Sequence, residues 1–306
     1  MQYLKKVKEM KKDYTVTAIC YSDENFSDAQ KLNIWAAKHI GKADKTIAFG
    51  PDDIDDVFRE EHSDILKFRR GGGYWIWKPY VIYNALIKAE EGEYIFYLDS
   101  GCVLLKPLHI FIDFMKSKSI DLLCFYTPFP EIDWDKKILY DKYASTFNLK
   151  ENIFQIEGTY ICVRKNNRTL KIIKEWLDSC SIAENLLDHD LKPMENHRHD
   201  QSNFSLVCKK NGVTAYRNPS NRYLYELFDE TLNRYYRSES DMKKYKEMYF
   251  SLEEVPGTEF SIFSHSRKNS AFYLLRVFKT MLLFQKRFRL AKSKNFYDKK
   301  RIGGKN

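Results

Sequence analysis

The chain has six cysteines (Cys20, Cys102, Cys124, Cys162, Cys180 and Cys208) and no CxxC pair among them, so the usual structural-zinc and dithiol spacings are excluded. Cys20, Cys124 and Cys162 sit inside apolar runs, as buried thiols do. A reduced, cytoplasmic setting therefore fits better than a disulfide framework. No uncharged apolar run reaches the roughly 18 residues of a membrane span. The opening MQYLKKVKEMKKDYTV is charged and has no apolar h-region, so no signal peptide is expected. No G-x-G-x-x-G follows the first apolar run, which weighs against a dinucleotide oxidoreductase. There is no internal repeat and no RNA- or DNA-binding motif.

What remains is a globular composition: 306 residues, 43% hydrophobic and 30% charged, enough to bury a substantial core. Aromatic residues reach 15%, with 21 Tyr and 21 Phe. That is more rings than a ligand cleft can use, so most must be core. The net charge of +9 is uneven. From Arg267 onward there are 13 Lys and Arg against one Asp, a net of +12, so the preceding residues carry −3. The basic character belongs to the tail, and the acidic body argues against nucleic acid as a partner.

Strand and helix patterns alternate along the body. Residues 14–21 read as a first buried strand, followed by Ser22-Asp23 and a helix over about 27–39. Residues 46–49 form a second strand pattern closed by Gly50-Pro51, with a short acidic helix near 53–61. Further on, 107–116 predicts a helix, 122–125 a strand, and 153–163 a strand interrupted at Glu157-Gly158. Helical patterns follow over 170–177 and 200–210, the latter stopped by Asn211-Gly212, and then a short strand over 213–216. Residues 127–151 are poorly periodic and read as a loop or lid. Residues 221–250 take no assignment. The alternation predicts an α/β fold with a mainly parallel sheet and helices on both faces. Residues 272–290 form an amphipathic basic helix pattern. It suits either an anionic membrane surface or packing on the body.

The most informative stretch is 71–101, GGGYWIWKPYVIYNALIKAEEGEYIFYLDSG. Three glycines permit tight backbone geometry, and Pro79 suits a first helical turn. Val81, Ile82, Ala85, Leu86 and Ala89 recur at helical spacing. Residues 94–98 are a wholly apolar strand pattern that ends on Asp99. An acid directly after such a strand lies at the carboxyl edge of an α/β sheet, where these sheets bind ligands.

With the later segment Asn196-His197-Arg198-His199-Asp200-Gln201-Ser202, the GGGYWIWKPY and YLDSG elements resemble GT-A-type nucleotide-sugar glycosyltransferases of bacterial surface-polysaccharide synthesis, of the capsule and lipopolysaccharide kind. The resemblance spans about residues 13–268. It implies a Rossmann-like GT-A domain over 1–268, with 269–306 as a basic helical extension. It also implies a nucleoside-diphosphate sugar donor (UDP-sugar favoured), a hexose transferred, and a glycan or lipid-linked acceptor. A peripheral position on the inner face of the cell membrane would bring enzyme and acceptor together. The sequence departs from the family's Asp-x-Asp in having Gly101 where the second acid stands, so the implied divalent cation (Mn²⁺ or Mg²⁺) lacks a usual ligand.

Glycosyl transfer needs the leaving diphosphate neutralised and the sugar oriented. Asp99 is the candidate for the first task, or a turn cap. Ser100 and Gly101 offer backbone N–H groups. Lys78, Arg70 and Arg69 are candidate phosphate cations, or solvated surface charges. Asp200 opens a helix and is either an N-cap or, by the resemblance, the acid that contacts the donor sugar, with Gln201 supporting it. Tyr21 and Asp23 fall where the resemblance puts base and ribose. Glu157, at the strand break, is the acceptor-side candidate. His265 could complete a metal site with Asp99, and Arg267 and Lys268 could hold the diphosphate. A catalytically inactive binding or scaffold protein is the alternative that Gly101 leaves open.

Overall fold

The computed structural model describes residues 13–146, 153–188, 191, 196–223, 239–259 and 261–264, all within the unit Met1–Ser264. His265, Arg267, Lys268 and the 269–306 extension lie outside the described residues.

The chain opens with β1 (Val16–Tyr21), α1 (Ser27–His39) and β2 (Lys45–Phe49), then α2 (Asp56–Glu61), α3 (Ser63–Leu66), α4 (Gly71–Tyr74) and α5 (Trp77–Lys88). Next come β3 (Tyr94–Leu98), β4 (Cys102–Leu104), α6 (His109–Lys118), β5 (Leu122–Leu123) and β6 (Phe125–Pro130). After α7 (Glu131–Trp134) and α8 (Lys137–Ala144) follow β7 (Phe154–Ile156), β8 (Tyr160–Arg164), α9 (Asn167–Cys180) and α10 (Ala183–Leu186). The last described elements are α11 (Asp200–Lys210), β9 (Tyr216–Arg217), α12 (Glu239–Phe250) and β10 (Ile262–Ser264).

The central sheet has the order β2-β1-β3-β8-β5. β1 pairs in parallel with β2 and β3, whereas β8 runs antiparallel to both β3 and β5. The sheet is therefore mixed, not mainly parallel. Each strand is too short and too apolar for its direction to be read from composition. Period-two alternation explains the layers. Ile19, Ile95, Tyr97, Ile161 and Val163 share one core with α5, α9 and α11. Val16, Ala18, Phe96, Leu98, Tyr160 and Cys162 share the other with α1 and α6. Helices cover both faces, and each buried Leu, Ile or Phe contributes about 1.5–3 kcal/mol. All six cysteines are free and buried.

Beyond β3, Cys102–Leu104 pairs antiparallel with Ile262–Ser264 in a separate ribbon. Two further expectations are revised. The 213–216 strand reduces to Tyr216–Arg217. The stretch expected to be a loop holds β6, α7 and α8. Its strand, FYTPFP, carries two prolines that argue against a ladder. The ladder accommodates them because its register with β7 shifts between Tyr126 and Pro130, and β9 reaches only Phe125 and Tyr126. No helix among the described residues is long and apolar enough to cross a membrane.

The glycine run is a left-handed turn. Gly71, Gly72, Gly73, Tyr74 and Trp75 have φ of 57°, 56°, 89°, 52° and 63° in succession. A side chain at this φ costs about 1–2 kcal/mol, so Tyr74 and Trp75 need anchoring. The Tyr74 amide donates to the Arg70 carbonyl (2.7 Å) and the Tyr74 hydroxyl to Asp188 (2.7 Å). The Trp77 indole donates to the Gly71 carbonyl (2.8 Å). A Cβ on Gly73 would lie 3.0 Å from the Leu66 Cα, whereas one on Gly212, also at positive φ, would meet nothing within 4 Å. Gly73→Ala should therefore cost about 2–4 kcal/mol in urea unfolding, combining backbone strain with overpacking, and Gly212→Ala only about 1 kcal/mol. Equal losses would show that the Leu66 contact yields freely.

Candidate active site

Period two puts Asp99 on the same side of the sheet as Tyr97, the side that faces α5 and α11. On α5, Lys78 falls on the face that carries Val81, Ile82 and Leu86, so its stem is buried with them. α11 begins with Asp200 at the same sheet edge. Three distant segments meet there. The Lys78 Nζ lies 3.2 Å from Asp99 Oδ1 and 3.0 Å from Asp200 Oδ2. Lys78 and Asp200 are each 4% exposed, whereas the Asp99 side chain is 35% exposed.

Each member is held in place. The Tyr97 hydroxyl donates to Asp99 Oδ1 (2.6 Å). The Asp99 amide donates to the Thr159 carbonyl (2.8 Å), and the Cys102 amide closes a turn on the Asp99 carbonyl (2.9 Å). Asn33 of α1 donates to the carbonyls of Asp99 (3.0 Å) and Cys102 (2.9 Å), pinning that turn from below. Ser100 and Gly101 lie within it, half-buried. The Trp176 indole donates to the Asp200 carbonyl (2.8 Å). Gly158 backs Asp200: a Cβ there would lie 3.5 Å from Asp200 Oδ2.

Two carboxylates and one ammonium leave a net charge of −1, and burial decides where the strain falls. Burial opposes the charge on Lys78, but Asp200 and Asp99 together outweigh it and raise its pKa. Burial pushes the Asp200 carboxyl up to about 6, against the pull of Lys78 and with a further push from Asp99. Asp200 is thus the group of this site that titrates near neutrality.

The helix start that carries Asp200 is tied by two neutral histidines. Burial, with smaller contributions from nearby charges, lowers His197 to about 3 and His199 to about 4. Each ring N–H faces a backbone carbonyl, His197 Nε2 that of Asn185 (2.9 Å) and His199 Nδ1 that of Leu186 (3.0 Å). His199 has φ 54° and ψ −116°, a conformation costing on the order of 1–3 kcal/mol. Their HxH spacing serves positioning and does not converge on a metal.

Other expected site residues have different settings. Arg70 forms an ion pair with Asp188 and lies over the Tyr74 ring, so its charge braces the left-handed turn. Glu157 turns inward: Thr159 and Tyr160 hydroxyls donate to it at 2.8 and 3.1 Å, and the Asn218 amide donates to it as well. Its carboxylate is buried in that network and does not face an acceptor. Tyr21 is buried and stacks on Trp77 at 3.8 Å and 17°, and Asp23 caps a short 3-10 turn by accepting from the Asn25 amide (3.0 Å). Both stand at the end of β1, on the edge that carries Asp99. Gln201 commits its amide to the protein, donating to Gln155 Oε1 (2.6 Å) and accepting from the Gly158 amide (3.3 Å). His265, Arg267 and Lys268 lie outside the described residues.

Asn33, Tyr97, Gln155, Trp176 and Asp188 were not anticipated. Asn33 had a legible signal, as a polar residue on the stripe with Ala29, Ala36 and Ala37. Asp188 had none.

The described donor set does not suit a protein-held divalent cation. Asp99 Oδ1 already accepts from Tyr97 and pairs with Lys78, and Gly101 supplies no side-chain donor. Among the described residues no three His, Cys, Asp or Glu converge. A concavity of about 920 Å³ opens at the opposite sheet edge. Its charges are largely paired with one another, Lys116 with Asp13, Lys45 with Glu93 and Arg164 with Asp121.

No protein-family model and no curated protein matches the chain. Among solved structures it is similar to apo mouse xyloside xylosyltransferase 1, at 9% identity over 84% of this chain and 99% of that one, with a TM-score of 0.49. It is similar to the apo WbbM bifunctional glycosyltransferase, at 10% identity over 84% and 47%, TM-score 0.45. A third is the galactosyltransferase LgtC in complex with donor and acceptor sugar analogs, at 10% identity over 81% and 86%, TM-score 0.40. All three are glycosyltransferases.

The raised Asp200 pKa has a signed consequence. The folded protein holds this proton more tightly than the unfolded chain, so the group favours folding at low pH. That contribution is lost as pH rises from its ordinary value of 3.8 through about 6. Asp200→Asn has nothing to ionise. Its stability relative to wild type should therefore rise between pH about 4 and about 6.5 and then level off, in urea titrations of both proteins. A constant difference would place the proton elsewhere.

Proposed function

We propose that the protein is a GT-A-type glycosyltransferase that moves a sugar from a nucleoside diphosphate to a glycan hydroxyl. The observation that supports this best is the buried Lys78 ammonium between Asp99 and Asp200 at the carboxyl edge of β3. In this reading, the half-exposed Asp99 carboxylate receives ribose hydroxyls of the donor. The Ser100 and Gly101 turn offers N–H groups to the diphosphate. Asp200, anchored by Trp176 and the two histidines, faces the donor sugar. Lys78 keeps the buried acid ionised and adds fixed positive charge where the diphosphate leaves. The sugar's anomeric carbon exchanges its bond to the phosphate oxygen for one to the acceptor oxygen, and the acceptor proton is released.

The motif resemblance supports a UDP-hexose donor and a surface-polysaccharide or lipid-linked acceptor. The +12 charge after residue 266 suits an acceptor presented at an anionic membrane surface.

The test has two stages. Thermal shifts with UDP, GDP, CMP and dTDP, each with and without Mn²⁺, should single out one nucleotide, since a ligand of the native state raises the melting temperature. A strict Mn²⁺ requirement would point to His265 for the missing ligand. With the matching donor sugars, Asp99→Asn and Asp200→Asn should each lower turnover on the order of 10²-fold or more while remaining folded. Wild-type rates in both would remove the site assignment. No shift with any nucleotide would favour a binding or scaffold protein.

A further inference from the structure

Beneath the site lies a second group of ionisable side chains, fully buried, that the transfer reaction does not touch. Glu131 opens the short helix α7, Asp135 follows its last residue, and Lys209 reaches Glu131 from α11. Glu131 Oε2 pairs with the Lys209 ammonium and accepts from the Ser205 hydroxyl. Asp135 Oδ1 accepts from the Gln155 amide (2.8 Å). The remaining oxygens, Glu131 Oε1 and Asp135 Oδ2, are buried without a donor. A buried carboxylate oxygen with no donor is costly. Here two such atoms belong to neighbouring groups, and one hydrogen between them would satisfy both.

The amide chain that leaves this pair leads to the active site. Gln155 donates to Asp135 and to Ser202 (3.2 Å), so its oxygen is left to accept from Gln201 (2.6 Å). Gln201 in turn presents its oxygen to the Gly158 amide (3.3 Å). A backbone N–H can only donate, and Asp135 Oδ1 beside that N–H₂ can only accept. The two ends thus fix one orientation for both amides. Gly158 and Gln201 are the residues immediately around Asp200.

We propose that Asp135 is a positioning residue for glycosyl transfer: as a neutral acid sharing its proton with Glu131, it orients the Gln155–Gln201 chain that sets Gly158 against Asp200. The inference rests on the transferase reading of the Asp99–Lys78–Asp200 site. The charge balance agrees, because one proton on the pair leaves a single negative charge for Lys209. Burial first, and then the neighbouring Glu131, raise the Asp135 carboxyl well above its usual range, against smaller pulls from the Ser202 hydroxyl and Lys209. Tyr140 feels both acids, and Tyr126 and Cys208 feel Glu131. At its other end the Gln155–Gln201 chain meets the Gly158 amide, beside the Asp200 carboxylate and Lys78.

Asp135→Asn keeps an acceptor for Gln155 and a donor for Glu131 without a titratable proton. It should hold kcat within about threefold of wild type, whereas Asp135→Ala should lower kcat by about 10- to 100-fold with donor KM little changed. Isotope-edited infrared spectra at pH 7.5 should show a protonated-carboxyl C=O stretch that Asp135→Asn removes. Equal damage in Asn and Ala, or no such band in wild type, would overturn the proposal. If Asp135→Ala fails to fold, Gln155→Leu cuts the chain downstream. It should lower kcat with the band intact, and unchanged kcat would overturn the proposal. If wild type turns over no nucleotide sugar, the transferase reading fails by itself, and the infrared band still decides whether the proton is shared.

Discussion

A single ammonium taken out of water holds the active edge together. Desolvating a lysine costs several kcal/mol unless opposite charges replace the lost hydration. Lys78 has two, at 3.2 and 3.0 Å. The requirement runs both ways. The burial that raises Asp200 is tolerable because Lys78 lies beside it, and Lys78 can be buried because two acids meet it. The left-handed turn that launches α5, the pinned turn after β3 and the anchored start of α11 are three separate means of keeping these groups within contact distance.

The polar groups behind the site follow the same rule. His197 and His199 are buried as neutral rings, each with one nitrogen facing a carbonyl. Glu157, a residue whose placement at a strand break invited an acceptor-facing role, is enclosed by Thr159, Tyr160 and Asn218. Much of what looked like reactive chemistry in the sequence is structural support. On the proposed reading the reacting surface is narrow: the Asp99 carboxylate and the Ser100–Gly101 turn, with Asp200 buried behind them.

Much of this was legible beforehand. The β3–Asp99 junction could be read because a five-residue apolar run that ends on an acid has few other meanings in an α/β chain. α11 could be read to its ends, since Asp200 and Asn211-Gly212 are local signals. Lys78 was readable only as a phosphate cation or a solvated surface charge, and its burial between two acids is set by tertiary neighbours. Strand direction was not legible, because β8 reverses without any compositional mark. Nor was Glu157's inward turn, which depends on Asn218, 61 residues away. The same holds for Arg70, whose partner Asp188 lies 118 residues on. Side-chain direction is decided by tertiary neighbours, and a single sequence does not name them.

Lys78, Asp99 and Asp200 are brought together across 122 residues of chain, from the first turn of α5 to the start of α11. No short fragment contains the site, and contacts of such sequence separation form late because loop closure must precede them. The chemistry is therefore a property of the finished molecule. A nascent or partly unfolded chain presents Asp99 and Asp200 as two ordinary solvated acids, with no affinity gained from their alignment. On the proposed reading, competence for sugar transfer would come only once all three segments have docked, so an unfinished chain would not waste activated donor.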